Sequence, residues 1–294
     1  GNRQLPLLSA TCFLLVLNGC DSVSQDPAQA PVAAEPPAEA SAPVEAPEAA
    51  APAVEIEPQR PVVAETLPYA EVDEQLVYGH FVFPADMVDA LPGVIVIHEW
   101  WGLNDRVRAM ADRIAAEGYV VLAVDLFGGK STRSPAEARE LLVSVLENPA
   151  PAEDNIRQAY QFLVDSGQAP RIGVLGWDFG GGWALNTAML LPDEIDAAVI
   201  YYGQVIADQR RLAPVNVPIL GLFGAQDRGI PVDSVRQFEL ALENLGKNFE
   251  IEIYPKAKHA FADPGSANYD AAIAEQAWAR TLAFLDLHLS IDAQ

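Results

Sequence analysis

"RIGVLGWDFGG", Arg171–Gly181, sets an apolar run against a glycine-rich turn. The run has the character of a strand buried on both faces. A helical stretch, GGWALNTAMLL, continues from Gly181. A sharp strand-to-helix turn with glycines around one central residue is the setting in which an enzyme presents a nucleophile. Gly176 and Gly180 flank Asp178 here. Small residues at these positions let a strained backbone close against the helix without a side-chain clash. The usual central residue is Ser or Cys. With Asp in its place, the nucleophile has either changed or been lost.

Working outward, strands and helices alternate from about Tyr69. QLVYGHFVFPA (75–85) reads as an early strand or hairpin, and GVIVIHEW (93–100) and YVVLAVDLFG (119–128) as buried strands. AAVIYYG (197–203), VPILGLFG (217–224) and NFEIEIYP (248–255) complete the set. Between the first two buried strands, Val107, Met110, Ala111 and Ile114 recur at helical spacing, with Asn104 or Asp105 to cap the start and Gly118 to end it. Two helices are expected near Pro135–Glu147 and Ala152–Ser166. Another carries Val235, Phe238, Leu242 and Leu245 on one face, with Gly246 as its stop, and a last one spans about Ala271–His288. This alternation predicts an α/β fold with a mostly parallel central sheet and helices on both faces. The sequence contains no internal repeat and no glycine-rich phosphate loop.

Four chemistry-bearing residues directly follow predicted strands: Glu99, Asp178, Asp227 and His259. Sites in parallel sheets gather outside the carboxyl ends of the strands, so all four should meet at one edge. Nucleophile, acid, histidine is also the chain order of the α/β-hydrolase triad. His259 suits a general base, because imidazole titrates near neutrality. Asp227 suits the carboxylate that orients it, although Asp is also a common turn former in a setting such as AQDRG. His80 and His288 read as structural, and His98 as either a core residue or one that supports the site.

Residues 71–290 resemble the dienelactone hydrolase family, and the α/β-hydrolase fold is implied with it. HEWWGLNDRVRAMADRIAAEGYVVLAVDLFGG resembles the segment carrying a glutamate that contacts the nucleophile, matched by Glu99. GWDFGGGWALN resembles the nucleophile elbow, where that family normally has cysteine. FGAQDRGIP and KHAFADP resemble the acid and histidine loops, matched by Asp227 and His259. The resemblance also implies an oxyanion hole built from the backbone N–H groups of Phe179 and Trp100, which would stabilise charge developing on an oxygen. Trp100, Trp101 and Trp177 either line a pocket or pack in the core. One further departure concerns Asp263. It falls where the dienelactone-opening member holds the substrate carboxylate with an arginine, so an acidic substrate such as dienelactone is disfavoured.

The resemblance implies a hydrolase acting on a small ester, lactone or related substrate through an Asp178–His259–Asp227 triad with Glu99 nearby. Asp178 strains that expectation. Attack by a carboxylate on an ester carbonyl gives a mixed anhydride and must expel a more basic alkoxide. At a saturated carbon, a carboxylate can displace halide or open an epoxide, leaving an alkyl ester that a histidine-activated water hydrolyses. Two alternatives therefore stand beside the first: an Asp-nucleophile enzyme like the dehalogenases and epoxide hydrolases, and a catalytically silent binding protein. Two adjacent carboxylates cannot both ionise cheaply, so either Glu99 or Asp178 should hold its proton. No metal and no cofactor is expected; a metal site on these acids would add nothing to what the family resemblance already accounts for.

The bulk composition narrows partners. Formal charge is −23, from 18 basic and 41 acidic residues. Phosphate binding needs concentrated Lys and Arg, so nucleic acid is excluded as a partner, leaving a small-molecule substrate. Both cysteines, Cys12 and Cys20, lie in the first twenty residues, so the rest of the chain has no disulfide, zinc-cysteine site or thiol nucleophile. Residues 1–20 have the apolar stretch of a secretory signal, with Arg3 ahead of it. Their end, LNGC, resembles a bacterial lipobox in which Cys20 takes the lipid. Residues 21–68 hold ten prolines, nine acids, one base and no glycine. Such a stretch buries too little apolar surface to fold and should act as a semi-stiff spacer. The expected organisation is signal (1–20), spacer (21–68) and hydrolase-like domain (69–294), exported and tethered to a bacterial membrane.

Overall fold

The computed structural model describes residues 60–291. A hairpin opens the fold: β1 (Val62–Val72) pairs antiparallel with β2 (Gln75–Pro84). Then follow β3 (Gly93–Ile97), α1 (Asp105–Ala116), β4 (Val120–Val124), α2 (Pro135–Glu147), α3 (Ala150–Asp165), β5 (Ile172–Trp177) and α4 (Phe179–Leu190). The remainder is β6 (Ala197–Tyr201), a short α5 (Gln209–Leu212), β7 (Ile219–Gly224), α6 (Val232–Asn244), β8 (Phe249–Tyr254) and α7 (Ala271–Leu289). The eight strands form one sheet in the order β1-β2-β4-β3-β5-β6-β7-β8. β2 pairs antiparallel with β4, and every pairing from β4 to β8 is parallel.

The central strands are apolar throughout because both faces are covered. In β3, Ile95 and Ile97 face the layer holding α3, α4 and α6, while Val94 and Val96 face the layer holding α1 and α7. β4 divides in the same way, with Leu122 on the first side and Val121 on the second. The helix signals were sound. Asn104 caps α1 by accepting from the Val107 N–H, and Gly246 ends α6 in the left-handed region at φ +63°.

The expected domain boundary needs correction. The sequence reading places residues 61–68 in the spacer, yet β1 begins at Val62. Its composition misleads because it is an edge strand with most side chains exposed. Pro68, which has no N–H to donate, sits where the register shifts between Pro68 and Ala70. Edge strands and bulges are the places where a sheet tolerates proline. Cys20, the signal segment and the spacer up to residue 59 lie outside the described residues.

Candidate active site

Asp178 stands at the junction of β5 and α4. Its backbone has φ +54° and ψ −115°, a conformation that L residues rarely adopt. The flanking glycines are a steric necessity. A Cβ on Gly176 would lie 2.0 Å from the Gly180 carbonyl oxygen, and one on Gly180 would lie 2.2 Å from that of Ile97. The turn thus presses α4 directly onto the end of β3 and lifts the Asp178 side chain clear of the sheet. Strain of this kind persists where the surroundings over-determine it, and it concentrates at functional sites.

Loops after β7 and β8 bring the partners. Asp227 is fully shielded, and its Oδ1 accepts from the N–H groups of Gly229 (2.7 Å) and Ile230 (2.9 Å). Its Oδ2 lies 2.8 Å from His259 Nδ1. On the other side of the ring, His259 Nε2 lies 2.9 Å from Asp178 Oδ1. One imidazole therefore bridges two carboxylates. Burial opposes charge on the ring, but the hydrogen bonds and charges of Asp178 and Asp227 prevail and push its pKa up to about 10. The two acids thus favour the imidazolium form of the ring between them.

Glu99, on the loop after β3, joins the same cluster. Burial, then the charges of Asp263 and Asp178, raise its pKa well above the usual carboxylate range, although Arg106 and His259 pull the other way. These surroundings favour the protonated form of Glu99. Asp263 itself lies 2.6 Å from Arg106 Nη1, an ion pair joining the histidine loop to the first turn of α1. That guanidinium is thereby engaged by an acid rather than left open for an acidic substrate.

Phe179 and Trp100 carry the two backbone donors that the resemblance implies. Phe179 opens α4, where the first N–H groups of a helix have no internal acceptor. Trp100 follows Glu99. Among the described residues, neither N–H has a protein acceptor. Trp177 is buried against Tyr201 and belongs to the core, whereas Trp100 and Trp101 pack on each other at 4.6 Å and remain partly exposed. His80 bonds Asp112 and His288 packs on Phe284, both away from the triad. A 690 Å³ cavity lies elsewhere, between the hairpin and α2–α3, and none of the triad residues lines it. Among the described residues, no group of three His, Cys, Asp or Glu side chains is placed to hold a metal ion.

Two contributors escaped sequence reasoning. Arg106 gave no signal beyond being basic on a surface helix. Tyr202 directly follows β6, the same strand-end position that marks the triad, but no family motif covers it. Its ring is wholly buried, sits edge-on to His259 at 5.4 Å and has φ +34°. Its hydroxyl has no hydrogen-bond partner in the structure. Burial, together with the charges of Glu99, Asp263 and Asp178, holds the phenol protonated.

A sequence profile for the "Dienelactone hydrolase family" matches residues 79–289. This chain belongs to the dienelactone hydrolase family. Its relatives include the protein usf of Aquifex pyrophilus, 32% identical over 68% of this chain and 89% of that one. A protein of Escherichia coli K12, provisionally named a carboxymethylenebutenolidase, is 32% identical over 65% of this chain and 75% of its own length. Among solved structures, a provisionally assigned dienelactone hydrolase from Klebsiella pneumoniae superposes with a TM-score of 0.71 at 26% identity, covering 76% of this chain and 98% of that one. The acylaminoacyl peptidase of Pyrococcus horikoshii shares the fold alone, with a TM-score of 0.63 at 18% identity over 80% of this chain and 43% of that one. The family is one of hydrolases with the α/β-hydrolase fold. This member departs from its usual elbow by carrying Asp178.

Proposed function

We propose that this family member hydrolyses a small molecule with Asp178 as the attacking group, at a saturated carbon rather than at an acyl carbon. The observation that carries this reading is the 2.9 Å contact between Asp178 Oδ1 and His259 Nε2 at a strained elbow. Base-activated acyl transfer needs a neutral histidine, whereas the two carboxylates favour the charged form of His259. A cation at that position suits a carboxylate nucleophile.

In the first step, an Asp178 oxygen bonds to carbon and the leaving group departs with the electrons of the broken bond. The product is a neutral alkyl ester. Loss of the Asp178 charge removes one of the two interactions that held the imidazolium, so His259 can release its proton to solvent. The imidazole then takes a proton from water as that water adds to the ester carbonyl. The oxyanion formed on the Asp178 carboxyl faces the N–H groups of Phe179 and Trp100. Collapse expels the alcohol, protonated by His259, and the carboxylic acid left on Asp178 gives its proton to the neutral imidazole, restoring the carboxylate and the charged ring. Where the leaving group is a ring oxygen, protonated Glu99 supplies its proton. The engagement of Asp263 with Arg106 favours an uncharged substrate.

A single turnover in H₂¹⁸O with an uncharged haloalkane and an epoxide, with p-nitrophenyl acetate as the acyl comparison, tests this reading. Heavy oxygen should enter the peptide containing Asp178, and Asp178→Asn should lose at least about 10³-fold in kcat, as expected for a missing nucleophile. Turnover that leaves the peptide unlabelled and survives Asp178→Asn would sink it. Binding without any turnover would favour the silent-protein alternative.

The lipobox resemblance supports a second, separate proposal: export and tethering of the domain through lipid on Cys20. Cys20→Ala should move the protein from the membrane pellet to the soluble fraction. An unchanged distribution would count against the anchor.

A further inference from the structure

His98 is wholly buried at the end of β3, and its two ring nitrogens face opposite requirements. Nδ1 lies 2.7 Å from the carbonyl oxygen of Glu99, which can only accept. Nε2 lies 3.1 Å from the backbone N–H of Leu126, which can only donate. Those partners admit one form of the ring, neutral imidazole with its proton on Nδ1. A second proton would oppose two N–H groups at Leu126, and burial also lowers the ring's pKa.

The Glu99 carbonyl belongs to the same peptide unit as the Trp100 N–H. It accepts from His98 Nδ1 and also from the Gly102 N–H at 3.1 Å. A trans peptide points its C=O and its N–H in opposite directions. Fixing the carbonyl therefore fixes the direction of the Trp100 donor. The same imidazole stacks on the Phe179 ring, with centroids 5.8 Å apart and planes 20° apart. Phe127 braces both rings, at 4.7 Å from His98 and 5.1 Å from Phe179. One side chain thus bears on the two segments that carry the backbone donors.

We propose that His98 is a positioning residue that aims the Trp100 N–H, and braces Phe179, so that both donors converge on one oxygen beside Asp178. This rests on the oxyanion-hole part of the function proposed above. The alternative is a structural staple that merely ties the loop after β3 to the loop after β4.

Two substitutions separate the roles. Asn at 98 places an amide N–H near Nδ1 and keeps the bond to Glu99. Gln places a carbonyl near Nε2 and keeps the bond to Leu126, but loses the one to Glu99. If His98 aims the donor, His98→Gln should lower kcat about 10- to 100-fold with KM nearly unchanged, below the ~10²–10³-fold cost of deleting an oxyanion donor outright. His98→Asn should stay within about fivefold of wild type, since it keeps the bond that aims the donor; in His98→Gln the donor is reoriented rather than deleted, which costs only part of that factor. Amide hydrogen exchange and the ¹⁵N shift of Trp100 should change in His98→Gln and not in His98→Asn. Equal impairment of the two variants, or an unaltered Trp100 amide in His98→Gln, would leave only the staple. In the unaltered protein, ¹⁵N spectra must show His98 neutral with its proton on Nδ1; the other tautomer overturns the proposal even if neither variant folds. The amide and tautomer readouts need no turnover, so they stand or fall apart from the nucleophile role of Asp178.

Discussion

Glu99 and His259 show how shared surroundings move two groups in ways that serve one reaction. Hydrogen bonds to two acids favour the charged form of His259, whereas desolvation and the neighbouring acids disfavour charge on the partly buried Glu99. The effect of Glu99 on stability has a definite sign. Its pKa is raised on folding, so the folded protein retains a proton that the unfolded chain releases above its ordinary pKa near 4.5. The contribution is therefore most favourable in acid and is lost as pH rises. Glu99→Gln should raise Tm relative to wild type at pH 8, and the gain should shrink toward pH 4. A Tm difference that is flat with pH would mean Glu99 ionises normally. Two of the residues that tune this site were partly or wholly hidden from sequence reasoning. Arg106 and Tyr202 matter through where they end up, and a surface arginine or a strand-end tyrosine carries no local mark of that.

The junction of β5 with α4 was the most legible element in the chain. Glycine at 176 and 180 is required by contacts with backbone atoms, which cannot yield as a flexible side chain can. Gly180→Ala should therefore destabilise the protein by about 3 kcal/mol or more, at the upper end for overpacked sites, and abolish turnover. Urea denaturation would measure this; a loss under 1 kcal/mol would show that the helix start can shift away from β3. The opposite case is β1. Its exposed, acidic, proline-containing sequence matches that of a spacer, because an edge strand has one free side and little to bury. Local pattern cannot reveal such a strand, since its stability comes from pairing with β2.

For the molecule as a whole, that pairing brings residues 62–72 into the described sheet. β1 covers β2 along Val62–Pro84 to Val72–Gln75, while β2 reaches β4 through only His80–Val82. Arg60 adds a contact to Asp86 at 2.6 Å. A chain starting at Arg60 should keep the Tm of the full-length protein. One starting at Tyr69 should melt roughly 5–10 °C lower, corresponding to about 2–3 kcal/mol in a domain of this size. It should also associate through the bared edge of β2. Equal melting of the two would return residues 60–68 to the spacer.

Periodicity and turn chemistry were enough to establish the α/β class, the helix caps, and the gathering of Glu99, Asp178, Asp227 and His259 at one sheet edge. Those features depend on residues adjacent in the chain: apolar runs, capping side chains, and glycines that only a tight turn demands. Tertiary structure decided the rest. The charge on His259, the proton on Glu99, the engagement of Asp263 by Arg106 and the bracing of two backbone donors by His98 all come from groups far apart in sequence. Their energies depend on distance and burial, which exist only once the strands have paired and brought their loops together.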